Sequence, residues 1–261
     1  MFLLYAAKQM DHQPSKELAA HVGRRLLEVG IPLPHGMKWA MDPEYPRLMP
    51  NFSHGTAGVC YFLAKLYTEK NQKEFLDGAL AGGEYLLSIT NEQGLIFHHE
   101  PGGEDLFYFG WCHGPVGTTR LYYQLWTITE DEKWLSAIEK AANGMMASGI
   151  LERQTPGFWN NVGRCCGSAG VAEFFLELYR ITKKQEYLNF TRRMKTDLLA
   201  QAIEDENGMR WIQAEHRVRP DLLIAQTGYM QGAAGIGMSF LWLDAFERNK
   251  VLSIILPDTP F

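Results

Sequence analysis

One glycine motif occurs four times in this chain: His54-Gly55-Thr56-Ala57-Gly58, His113-Gly114-Pro115-Val116-Gly117, Cys166-Gly167-Ser168-Ala169-Gly170 and Gln231-Gly232-Ala233-Ala234-Gly235. The frame is X-Gly-x-(Ala/Val)-Gly. At the eighth position past each second glycine stands a leucine: Leu66, Leu125, Leu178 and Leu243. A register held over spacings of about 53 to 65 residues marks internal repeats, each a supersecondary unit that must stack on its neighbours to bury a core.

Inside a repeat, Val171 to Tyr179 places apolar residues at i, i+3, i+4 and i+7, the pattern of a largely buried helix. A second helix is expected over 76–87, 135–147 and 187–202, carrying the apolar pairs Phe75-Leu76, Trp134-Leu135 and Tyr187-Leu188. Polar turns such as Asn91-Glu92-Gln93-Gly94 and Asp205-Glu206-Asn207-Gly208 stop it. Aromatic stubs follow at Phe97, Phe158-Trp159 and Trp211. The expected fold is all-α: an α/α barrel, or toroid, of repeated helical hairpins whose glycine motifs converge on one rim. Paired glycines there allow tight turning and close backbone approach.

Residues 15–28 and Gly36-Met37-Lys38-Trp39 match the second helix and stub of a repeat that lacks its opening motif. The barrel is therefore expected to begin mid-repeat, as a single domain over 1–261 without its N-terminal repeats. Leu256 to Phe261, with two prolines, is expected to end the last helix. No apolar run reaches membrane-spanning length and no signal peptide is evident. A net charge of -5 without a basic stripe argues against nucleic acid. Four cysteines, two of them adjacent, do not make a disulfide framework, so a reducing cytoplasm is the expected location.

Three of those cysteines, Cys112, Cys165 and Cys166, fall at the glycine motifs. Zinc takes cysteine thiolates, and a catalytic site uses three protein ligands and leaves a fourth position open. Adjacent residues of a regular helix do not share a face, but the irregular backbone before a helix can turn Cys165 and Cys166 toward one ion. Cys60, inside an apolar helical run, is expected to be inert packing. His54 has two readings: a residue that hydrogen-bonds a local turn, or an acid–base group, since an imidazole with a pKa of about 6.5 suits proton transfer near neutrality. His113 lines the pocket, moves protons or orients Cys112. His98-His99 and His216 are expected in solvated polar loops.

The strings 52–58, Gly110-Trp111-Cys112-His113-Gly114-Pro115-Val116-Gly117 and Arg164-Cys165-Cys166-Gly167-Ser168-Ala169-Gly170 resemble the lanthionine synthetase C-like (LanC-like) family over nearly the whole chain. The resemblance implies an α/α barrel with Zn2+ on Cys112, Cys165 and Cys166, and His54 as the acid–base histidine. It implies addition of a cysteine thiol to dehydroalanine or dehydrobutyrine in a dehydrated peptide, with a dehydratase as partner or fused upstream domain. A small thiol such as glutathione could replace the cysteine, and a non-catalytic zinc-containing binder is the further alternative. Two departures stand out. Cys165-Cys166-Gly167 replaces the usual Cys-His-Gly, as in the all-cysteine subset found in some bifunctional lanthipeptide synthetases, and Tyr108 stands where bacterial cyclases often carry arginine. An acidic partner for the histidine would lie upstream. Other α/α barrels act as glycosidases or polysaccharide lyases, which need paired carboxylates. No X position is acidic. Barrel prenyltransferases would need an Asp-Cys-His ligand set.

Overall fold

The computed structural model describes residues 1–42, 44–45, 47–152, 158–159, 161–216 and 218–251, with the backbone alone at 158–159 and 215–216. The expected terminus at 256–261 lies outside the described residues.

Three full hairpins repeat: α3 (Thr56–Lys70) with α4 (Lys73–Ser88), α5 (Pro115–Thr129) with α6 (Glu132–Ala147), and α7 (Ser168–Thr182) with α8 (Gln185–Ala200). Before them come α1 (Phe2–Met10) and α2 (Gln13–Val29), and after them α9 (Ala233–Glu247). The first helix of each hairpin packs on the first helix of the next, in the order α3, α5, α7, α9, while the second helices lie outside. Inner helices α3, α5 and α7 bury residues on most faces, whereas α4 and α6 bury a stripe. The repeat leucines carry this inner layer: Leu66, Leu125 and Leu178 are fully buried and Leu243 nearly so. Phe75, Trp134 and Tyr187 anchor the outer helices and are likewise fully buried. Trp134 fits a notch left by Gly83 on α4, where a Cβ would lie 2.7 Å from the indole edge.

Each hairpin closes through two residues, the first in the left-handed region: Asn71 (φ 52°), Glu130 (φ 55°) and Lys183 (φ 59°). Its N–H caps the inner helix at the carbonyl of Tyr67, Trp126 or Tyr179. Outer helices therefore start two or three residues earlier than their apolar pairs suggested, and α8 ends at Ala200 rather than 202. Asp11 (φ 49°) closes α1 onto α2 in the same way. Helix α1 thus occupies an inner-helix position, nine residues long against fifteen in α3 and with no glycine motif.

Phe97 lies in irregular backbone, and the other stubs adjoin small β elements. β1 (Ile31–Leu33) and β2 (Gly36–Lys38) form a hairpin ahead of Trp39, and β5 (Ile203–Asp205) with β6 (Gly208–Arg210) repeats it ahead of Trp211. Both indoles donate to a carbonyl of the preceding outer helix, Leu26 at 2.7 Å and Leu198 at 2.6 Å. β3 (Phe107–Tyr108) pairs in parallel with β4 (Phe158–Trp159). One element departs from the expected all-helical repeat. β7 (Ile212–His216) and β8 (Arg219–Ala225) pair antiparallel, so the backbone at His216 is strand rather than loop. Among the described residues no helix is long and apolar enough to cross a membrane.

Candidate metal centre

At motifs one, three and four the loop before the inner helix doubles back on the helix start, and the N–H groups of the helix's first two residues donate to carbonyls seven residues earlier, among them Thr56 to Met49 (3.3 Å), Ala57 to Pro50 (3.0 Å), Ser168 to Asn161 (2.7 Å) and Ala233 to Gln226 (3.0 Å). The second motif opens α5 on Pro115, which has no N–H to donate. No side chain caps α3, α5, α7 or α9, and in α3, α7 and α9 these bonds take the place of a cap. Both motif glycines lie against backbone. A Cβ on Gly58 would overlap the carbonyl oxygen of Phe52, and one on Gly117, Gly170 or Gly235 that of Trp111, Arg164 or Tyr229. The N-cap glycines have extended φ values between -129° and -152°, so close approach rather than a left-handed turn demands glycine.

The loops are stitched to one another at the residue before X. Ser53 donates its N–H to the Cys112 carbonyl (2.9 Å), Cys112 to Cys165 (3.3 Å) and Cys165 to Met230 (2.7 Å). This ladder aligns Ser53, Cys112, Cys165 and Met230, with His54, His113, Cys166 and Gln231 beside them. Cys165 and Cys166 lie in the turn ahead of α7, and that irregular backbone lets neighbouring side chains converge.

The sulfurs of Cys112, Cys165 and Cys166 all lie within 4.8 Å of one another, the one group of its kind among the described residues. Cys112 and Cys166 Sγ are 3.2 Å apart, well beyond the ~2.05 Å of a disulfide. The hydrogen bond from Cys112, then that from Cys166, with the charge of Arg164, holds Cys165 down to about 4. Cys112, as donor to both neighbours, is pushed far above the usual thiol range. Three thiolates this close repel one another, and a cation among them offsets that repulsion; the donor set fits a metal ion. Cys60 is fully buried in α3, its thiol pushed up by burial, and takes no part.

On one side stand the histidines. His54 Nδ1 contacts Ser53 Oγ at 2.6 Å and His113 Nε2 at 3.3 Å, and the two rings stack at 5.0 Å. His113 is buried, and burial first, then the neighbouring His98, His54 and His99, lower it to about 3. His98-His99 is not a solvated loop. His98 packs 4.3 Å from His113 and 4.4 Å from Tyr108, and His99 is buried. On the other side Arg164, 4% exposed, donates to Glu173 at 2.9 Å and lies 5.1 Å over the Tyr229 ring. The three cysteines, His54, His113, Tyr108, Arg164, Tyr229 and Gln231 share a cavity of about 690 Å³. Sequence reasoning gave no role to His98, Arg164, Tyr229 or Gln231. For Gln231 the signal was present, since it holds the fourth X position.

The fold and cysteine rim define a class, the α/α toroids with a thiol-lined rim, and the sequence supplies the family. The model for lanthionine synthetase C-like proteins matches residues 2–256, and this chain belongs to that family. Solved structures agree on the fold. The Lin0763 protein of Listeria innocua is similar at a TM-score of 0.60 and 16% identity, over 97% of this chain and 71% of that one. Nisin cyclase is similar at 0.55 and 16%, over 78% of this chain and 47% of its own. An α-1,6-mannanase of Salegentibacter reaches 0.55 and 18%, over 76% and 60%. The chain thus spans less than half of nisin cyclase.

Proposed function

We propose that this protein catalyses addition of a cysteine thiol to a dehydroalanine or dehydrobutyrine residue of a dehydrated peptide, forming a thioether at a zinc site. The observation that carries this is the convergence of three cysteine thiols with two stacked histidines in one cavity. Cys112, Cys165 and Cys166 would hold the ion as soft thiolate donors, which suit zinc. When bound, zinc supplies thiol acidification, lowering the pKa of a substrate cysteine so that it is present as thiolate.

His54 is the acid–base residue in this reading. Its Nδ1 is taken by Ser53 and His113, which leaves Nε2 for the substrate. Nε2 takes the thiol proton; the sulfur forms a bond to the β-carbon; the π electrons of the C=C bond move to the α-carbon and its carbonyl; Nε2 then returns the proton to the α-carbon. His113, buried behind His54, positions it. The third cysteine makes the ligand set more anionic than two thiolates and an imidazole, so a substrate thiolate is more electron-rich. Arg164, fixed by Glu173, places a positive charge beside that set. No acidic residue lines the cavity among the described residues, which disfavours glycoside cleavage by paired carboxylates.

The dehydro residue has to come from a dehydratase, and free thiols suit a reducing compartment such as the cytoplasm. Metal analysis together with a thioether assay on a dehydrated peptide tests the reading. About one zinc per chain and cysteine-dependent product are expected. Zinc without turnover, with peptide and with glutathione, would point instead to a binding protein, and absence of zinc would overturn both.

A further inference from the structure

Gln231 occupies the fourth X position, where the preceding copies carry His54, His113 and Cys166. Its carbonyl accepts from Gln213 Nε2 at 2.9 Å, and the neighbouring Met230 carbonyl holds the Cys165 N–H. The side-chain amide reaches Cys166, with Nε2 3.9 Å from Sγ. Its other end is different. Oε1 is buried with no hydrogen-bond partner, although the residue lines the cavity that holds the cysteines. A buried acceptor left unpaired costs stability and calls for an explanation; on a residue that lines a cavity, a ligand is one.

Resting on the thiol-addition reading, we propose that Gln231 determines thiol specificity: its Oε1 accepts the backbone N–H of the substrate cysteine. A cysteine residue carries that N–H three bonds from its sulfur. A planar amide with one end on a site sulfur and an unpartnered oxygen at the other is suited to hold both features of such a substrate. The site would then take an N-acylated cysteine, as in a peptide, in preference to a thiol of the same length without the N–H.

The test compares N-acetylcysteinamide with 3-mercaptopropionamide, which lacks the N–H, by calorimetric binding to the whole metal-loaded protein and its variants. One hydrogen bond in a desolvated site corresponds to roughly a fivefold preference for the acylated thiol in the unaltered protein. Gln231→Leu should bind both thiols equally while retaining its zinc. Gln231→Glu keeps an acceptor oxygen and should keep the preference even if both affinities fall; this variant decides the matter if Gln231→Leu loses metal or fold. Equal binding of the two thiols by the unaltered protein, or a preference that persists in Gln231→Leu, overturns the assignment alone. A zinc-loaded protein that binds neither thiol overturns the thiol-addition reading as well.

Discussion

The two halves of the rim share a backbone and differ in chemistry. Motifs one and two present Ser53-His54 and Cys112-His113; motifs three and four present Cys165-Cys166 and Met230-Gln231. All four loops use the same glycine contacts, and one ladder of hydrogen bonds runs through them. One half yields stacked imidazoles and one thiol, the other two thiols, an amide and a paired arginine. Glycines and backbone bonds therefore set the frame, and the two side chains at the head of each loop, with neighbours such as Arg164, decide what the loop does.

Breaking the frame should have the largest effect. Gly235→Ala drives a Cβ into the Tyr229 carbonyl, a backbone atom that no rotamer change can move, and is expected to cost about 3 kcal/mol. Chemical denaturation would show it, and an unchanged midpoint would deny the shared frame. Next comes loss of chemistry without loss of frame. Cys112→Ala should reduce bound metal below stoichiometry and thioether formation at least ~100-fold, while its helical circular dichroism stays native. Retained full metal content would remove Cys112 from the site. Smaller again, His54→Asn should keep the metal but lower kcat about 100-fold. Were His113→Asn alone to cause that loss, the order of the two imidazoles would be reversed. At the small end, Gly237→Ala, in the same helix as Gly235 but with open space around it, should stabilise the fold by about 0.5–1 kcal/mol.

Much of this was legible because it is periodic. The leucines at 66, 125, 178 and 243 mark the inner layer, and the cysteines mark the rim. The features that escaped lie where the chain stops repeating. His98 reaches His113 because the segment after Gly94 folds back, with His98 N–H on the Leu106 carbonyl at 2.8 Å and Glu100 N–H on the Leu48 carbonyl at 3.0 Å. No spacing rule encodes that path. The β7–β8 pair escaped for a different reason. Its apolar residues Leu222, Leu223 and Ile224 are exposed, so the run lacks the alternation by which a half-buried strand announces itself. Arg164 was given no role because nothing in the sequence ties it to Glu173, nine residues on in α7, with which it pairs at 2.9 Å.

The ladder from Ser53 to Met230 also sets an order of events during synthesis. A ribosome releases the N-terminal part of a chain first. A nascent protein that has emerged only as far as Gly170 already contains all three sulfurs, yet the carbonyl that receives the Cys165 N–H belongs to residue 230 and does not exist yet. The thiol cluster reaches its final arrangement only after the fourth loop has joined the rim, so a chain interrupted before residue 230 would expose reactive cysteines and lack the backbone that holds them in place.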